Sequence, residues 1–190
     1  MNSIERCIDD EIPFEIPDSW EWVRLETLCW SISDGDHQPP PQVKDGIPFL
    51  VISDVSQGKL TFDGTRSVPK WYFDKLQEMR KPQVNDILFT VTGSFGIVIP
   101  VNTSTDFCFQ RHIALLKPTP LLNNSFLCTN LTSPLVYDQC KRKATGTAQK
   151  TVGLQVLRHL LIPLPPLAEQ KRIVAEIERL FSFQRTMRRS

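Results

Sequence analysis

Few residues of this chain stand at spacings that could do covalent chemistry. Thr92-Gly-Ser-Phe-Gly96 falls one residue short of the G-x-S-x-G turn that lifts a nucleophilic serine above a sheet. That turn must run into a helix, and the β-branched Ile97, Val98 and Ile99 follow instead, so a glycine-rich hairpin turn accounts for the segment better. Asp34-Gly-Asp-His37 offers oxygen and imidazole ligands. Yet the three histidines are far apart and no second carboxylate cluster accompanies them, which favours a polar turn over a metal site. Cys7, Cys29, Cys108, Cys128 and Cys140 are widely spaced and never form a C-x-x-C pair, so neither a zinc site nor a disulfide framework is expected. The sequence has no P-loop, no G-x-G-x-x-G and no Asp-Pro-Pro-Tyr motif for methylating a base. No catalytic residue, metal or cofactor is expected, and the chain reads as a binder.

What it could bind is suggested by residues 141–151. Lys141, Arg142, Lys143 and Lys150 can neutralise phosphates, while Thr145 and Gln149 can address base edges from a flexible loop. The same run also fits a solvated helix end followed by a surface loop, and spacing alone leaves both open. Charge distribution adds to the first reading. The net charge of +1 hides a net −8 over residues 1–36 and a net +6 over residues 107–163, where Asp138 is the single acid. A chain built this way can turn a cationic face to a polyanion and keep its acidic part away.

These residues need a scaffold, and 190 residues with 41% hydrophobic and 23% charged side chains can bury a core. The 15 prolines against 8 glycines imply many stiff segment boundaries and a loop-rich mixed fold. No apolar stretch approaches a membrane span, the N-terminus lacks a leader pattern, and a cytoplasmic location is expected. Residues 1–19 read as an acidic lead-in broken by Pro13 and Pro17, and Trp20–Leu25 alternates as a short strand. Residues 31–46 read as a loop, Pro48–Ser53 as a buried strand, and Lys70–Arg80 as a helix on the spacing of Trp71, Leu76 and Met79. Asp86–Thr92 and Gly96–Val101 read as a hairpin, and Phe107–Lys117 as a third strand. Residues 123–143 read as short helices interrupted at Pro134, 144–153 as a polar loop, and Leu160–Ile162 as a last strand.

From Leu167 onward there is no glycine or proline, and Ile173, Ile177, Leu180 and Met187 recur at helical spacing with Val174 and Phe181 beside them. The 24 residues from Leu167 to Ser190 could reach about 36 Å. That exceeds what a domain of this size needs as a cover, so the apolar stripe calls for another helix or a partner chain to bury it, although the helix could also lie across the domain's own core. The fold class expected is α+β: a mixed, largely antiparallel sheet with short helices, then a long C-terminal helix of coiled-coil type.

The run Pro165-Pro-Leu-Ala-Glu-Gln-Lys-Arg-Ile173 resembles the proximal conserved helix of the specificity subunits of type I restriction–modification systems. Ile16-Pro-Asp-Ser-Trp-Glu-Trp-Val-Arg-Leu25 is similar to that family's opening, Asp86-Ile-Leu-Phe before Gly93-Ser-Phe-Gly96 to its central hairpin, and Gly146-Thr-Ala-Gln-Lys150 to its polar loop. The resemblance spans about residues 12–183. It implies a target recognition domain at 20–165 and a spacer and dimerisation helix at 166–190, half of the usual two-domain, two-helix arrangement. It further implies that the chain reads one half of a split site in double-stranded DNA, with catalysis left to methyltransferase and endonuclease partner subunits. A half-length chain would complete itself as a homodimer or with another half. Two other readings stand beside it: the recognition module of a fused methyltransferase–nuclease, and a helix-mediated assembly protein that touches no DNA. Within the domain, DNA contact is expected from Asp36, His37 and Gln38, from Thr92 and Ser94 at the hairpin tip, and from Lys141 through Lys150. Arg111 and His112 are added from the neighbouring strand. One departure from the family pattern is Asn85 before Asp86, where glycine is expected; asparagine is among the few residues that tolerate a left-handed turn.

Overall fold

The structure, a computed structural model, describes residues 7–38 and 40–187, with side chains as far as Phe183. Its strands are β1 (Glu21–Arg24), β2 (Cys29–Asp34), β3 (Ile47–Leu50), β4 (Arg66–Val68), β5 (Ile87–Thr90), β6 (Val98–Pro100), β7 (Cys108–Phe109), β8 (Ile113–Pro118) and β9 (Leu161–Leu164). The helices are α1 (Ile52–Val55), α2 (Lys70–Asp74), α3 (Asn124–Leu131), α4 (Pro134–Lys143), α5 (Leu154–Arg158) and α6 (Leu167–Met187). An antiparallel sheet in the order β2-β8-β5-β6 forms the centre. A second sheet, β4-β3-β7, pairs β3 antiparallel to β4 and parallel to β7. A two-stranded ribbon, β1-β9, joins the first strand of the chain to the last. The expected α+β class holds, and no helix among the described residues is long and apolar enough to cross a membrane.

The central strands are continuous apolar runs because both faces of their sheet are covered. Along β5, Ile87 and Phe89 enter one core cluster and Leu88 the other; along β8, Ala114 and Leu116 alternate in the same way with Ile113 and Leu115. The first cluster is roofed by α3, α4 and α5 through Leu127, Leu131, Val136 and Leu157. The helices start where their caps dictate. The Asn123 side chain accepts a hydrogen bond from the Phe126 N–H at 2.9 Å, and Ser133 accepts from Val136 ahead of a proline at the first helical position. Gln139, buried on α4, both donates to and accepts from the Leu161 backbone at 2.9 Å, sealing the outer edge of β9.

Three expectations need correction. Residues 31–34, read as loop, belong to β2, because the neighbouring β8 supplies the ladder and Ile32 an inward anchor. The helix expected over 70–80 breaks after Asp74. It is Phe73 that enters a core, leaving Trp71 and Met79 about half exposed, and a 3₁₀ turn at Glu78–Arg80 follows. The single strand expected over 107–117 is two strands in different sheets, β7 and β8, joined by a turn at 110–112. Asn85 does carry the left-handed backbone, φ 76°, that its place in the turn requires.

Helix α6 roots in the domain and then leaves it. Its first turns pack on α3, and Gln170 is buried there. Ile173, Val174 and Ile177 are half-buried, whereas Leu180, Phe181 and Phe183 are 49%, 59% and 62% exposed. Met187, placed on the same stripe by spacing, has its side chain outside the described residues.

Candidate nucleic-acid interface

The ends of β2, β5 and β8 and the turn after β7 meet at one end of the central sheet. Gly35, just past β2, sits against the Phe109–Gln110 backbone so closely that no Cβ fits; one would lie 2.0 Å from the Phe109 carbonyl oxygen. The chain then continues through Asp36, whose N–H donates to that carbonyl at 3.0 Å and whose own carbonyl accepts from Arg111 at 3.1 Å. Arg80 clamps both sides of this glycine, donating from Nε to the Asp34 carbonyl (3.2 Å) and from Nη2 to Asp36 Oδ1 (2.8 Å). The Asp36 side chain is left only 10% exposed, and His37 and Gln38 project beyond it.

From the other side come the hairpin tip and the polar loop, locked to each other. The Gly93 N–H donates to the Lys150 carbonyl (2.9 Å), Thr92 bridges Thr151, and the Gln149 amide lies over Gly93, whose φ of +72° needs glycine. The result is a polar cleft of about 370 Å³ between His37, Thr92, Arg111, His112, Gln149 and Thr151. A second concavity of about 190 Å³ adjoins it, sharing His37, Arg111 and His112 and adding Gln38, Gln42, Arg66 and Gln110. His37 Nε2 lies 2.7 Å from Asp34 Oδ2. Burial, and then the Arg111 charge, hold the His112 imidazole below the usual histidine pKa, so at pH 7 it is neutral and offers one donor and one acceptor. Both acids of the clefts, Asp34 and Asp36, thus face a basic partner, while Arg111 is exposed with only its Nε near His112 (3.4 Å).

Of the residues singled out in sequence, Asp36, His37, Gln38, Thr92, Arg111 and Gln149 therefore converge. Thr92 is buried and works through its backbone bridge, and Ser94 is exposed at the tip beside the stacked rings of Phe95 and Tyr137. Lys150 and Thr145 are exposed on the loop's outer side. Lys141, Arg142 and Lys143 line neither cleft; they are exposed on the last turn of α4, where Lys143 lies 4.0 Å from Glu11. Glu11 belongs to the acidic lead-in, and its hydrogen bond with Arg24 holds its carboxyl below the usual range. Gln42, Arg66 and Gln110 were missed, since single polar residues on three separate segments carry no local pattern. Burial pushes the Cys29 and Cys108 thiols up to about 12 and those of Cys128 and Cys140 to about 11, far from the thiolate range of a nucleophile. Among the described residues no group of three or more His, Cys, Asp or Glu side chains could hold a metal ion.

Comparison with known proteins gives this arrangement a family. The type I restriction modification DNA specificity domain matches residues 17–189. The specificity subunit of the type I restriction enzyme EcoBI of Escherichia coli is 28% identical over 182 residues, covering 92% of this chain and 37% of that protein. The MjaVIII specificity subunit of Methanocaldococcus jannaschii is 24% identical, covering 86% of this chain and 40% of its own length. This chain thus spans 30–40% of the length of the curated relatives it matches. Among solved structures, the HsdS subunit from Thermoanaerobacter tengcongensis superposes with a TM-score of 0.69 at 24% identity, over 94% of this chain and 46% of that one. A chain from a study of assembly and conformational transition in the type I R-M system superposes at 0.70, also at 24% identity, over 93% and 42%. Both likenesses are of fold.

Proposed function

The chain belongs to the type I restriction modification DNA specificity domain family, and from that premise we propose that it reads one half of a split target in double-stranded DNA. The domain over 20–165 is the reader, residues 1–19 are its lead-in, and the helix from 166 is the spacer. The observation that carries this reading is the meeting of His37, Arg111, His112 and Gln149 in one cleft whose lining acid, Asp34, already has His37 as its partner. Neutral amides and imidazole can exchange donors and acceptors with base edges, while the exposed Lys150 on the adjoining loop suits a phosphate, and Lys141 and Arg142, outside the clefts on the last turn of α4, suit phosphates further along the duplex. The chain itself carries out no catalysis; it positions methyltransferase and endonuclease subunits in the cytoplasm.

In binding to a duplex, affinity is expected to fall as salt rises, with a log–log slope of about −0.9 per phosphate contacted. Lys150→Ala should weaken all sequences alike and reduce that slope, whereas Gln149→Ala or Gln38→Ala should change preference among sequences. Lys143→Ala belongs with Lys150→Ala in direction, but its neighbour Glu11 makes the effect smaller. Affinity that ignores salt, or variants that leave both affinity and preference untouched, would defeat the proposal.

The exposed end of α6 is the surface for a second copy. Two such helices packed antiparallel would cover Ile177, Leu180 and Phe181 and set two readers on a two-fold axis, matching a palindromic split site. Sedimentation at micromolar concentration should give a dimer that Phe181→Glu converts to a monomer; a wild-type monomer rules the pairing out.

A further inference from the structure

Resting on the DNA-reading proposal, we infer that Arg66 is a specificity-determining residue that takes the N7 and O6 edge of a guanine in the major groove. The β4-β3-β7 sheet sets it in place. Phe49 of β3 is the register partner of both Arg66 on β4 and Cys108 on β7, so the three share one face. Gln110, two residues beyond Cys108, returns to that face and bridges Asp36. The buried Phe49 is part of the apolar lining of the concavity, and Arg66, from the edge strand, lines it together with Gln38, Gln42 and Gln110.

Charge leaves this guanidinium unspent. The carboxylate lining the concavity is Asp36, which Arg80 already holds at 2.8 Å. Among the described residues, the Arg66 guanidinium has no hydrogen-bond or ion-pair partner, and a second guanidinium, Arg111, stands in the same concavity. Two exposed arginines converging where the lining acid is already paired suit an electron-rich partner. A phosphate would use only the NH2 donors of Gln38, Gln42 and Gln110 and leave their carbonyl oxygens unmatched, since phosphate oxygens only accept. A base edge suits them, because each base pair offers donors beside acceptors, and the arginine fork matches the paired acceptors of guanine.

The test is selection from a randomised duplex library by the full chain, compared for wild type, Arg66→Ala and Arg66→Lys. Arg66 is exposed, so both variants should keep the wild-type melting midpoint. Both should lose between about fivefold and a hundredfold of preference at one base pair while the rest of the selected motif persists. An unchanged motif with Arg66→Ala overturns the assignment but not the DNA reading. So does a uniform loss of affinity with Arg66→Ala that Arg66→Lys restores, the signature of a phosphate contact. Failure of the wild type to retain any duplex at low salt overturns both.

Discussion

Replacing Gly35 by alanine should unfold the protein or lower its stability by on the order of 4 kcal/mol, among the larger effects a single methyl group can have. The new Cβ would lie 2.0 Å from the Phe109 carbonyl oxygen and 2.5 Å from two backbone atoms of Gln110. None of these is the end of a flexible side chain, so relief requires β2 and β7 to separate. Separation would break the Asp36–Phe109 and Arg111–Asp36 backbone hydrogen bonds and loosen the Arg80 clamp on Asp36. The consequence reaches the proposed interface, because His37 and Gln38 start at this contact. Urea denaturation measures it, with Gly153→Ala as the control: nothing lies within 4 Å of a Cβ there, and its unfolding free energy should change by less than about 1 kcal/mol. Equal midpoints for the two variants would show that the crossing is not tight.

That contact also shows why the fold was partly legible and the site less so. The β5–β6 hairpin, the start of α4 and the rise of α6 are written in adjacent residues: glycine between apolar runs, proline at the first helical position, a stripe spaced three and four apart. Each could be read without knowing what packs on it. The division of residues 107–118 between two sheets could not, because an apolar run has the same appearance whichever partner it pairs with. What divides it is the turn at 110–112, held by Gly35 and Asp36 more than seventy residues earlier. The three-residue β4 carries no periodicity at all, and with it Arg66 went unnoticed. Conversely, Lys141, Arg142 and Lys143 drew attention by standing together in sequence, yet α4 ends beside the acidic lead-in and directs that run away from the clefts. Convergence, not clustering, defines this site, and only tertiary packing creates convergence.

The buried Gln170 explains a polar residue inside the most recognisable stretch of the sequence, and removing it should cost about 2–4 kcal/mol. Its Oε1 accepts from the Asn123 N–H at 3.0 Å and its Nε2 donates to the Pro165 carbonyl at 2.9 Å. One amide therefore ties the first turn of α6 to the cap of α3 and to the segment leaving β9. Gln170→Leu fills the space but leaves two backbone groups unpaired out of reach of bulk water, each costing roughly 1–3 kcal/mol. Gln170→Glu keeps an acceptor for Asn123 and loses the donor to Pro165 only when ionised, so its loss should fall between leucine and wild type at pH 5 and widen at pH 8. The reason is a carboxyl held above its ordinary pKa by burial: the protonated acid, which can still donate, prevails at the lower pH, and stability drains away as pH rises through the folded pKa. Amide exchange in residues 167–174 should accelerate in both variants while β5 and β8 retain their protection, since only the helix root is released. In the proposed reading, the helix must hold its angle to the domain for two readers to keep a constant separation, and Gln170 is the side chain that bonds its first turn to the domain. Wild-type exchange at the root of α6 in Gln170→Leu would assign that rigidity to apolar packing on α3 alone.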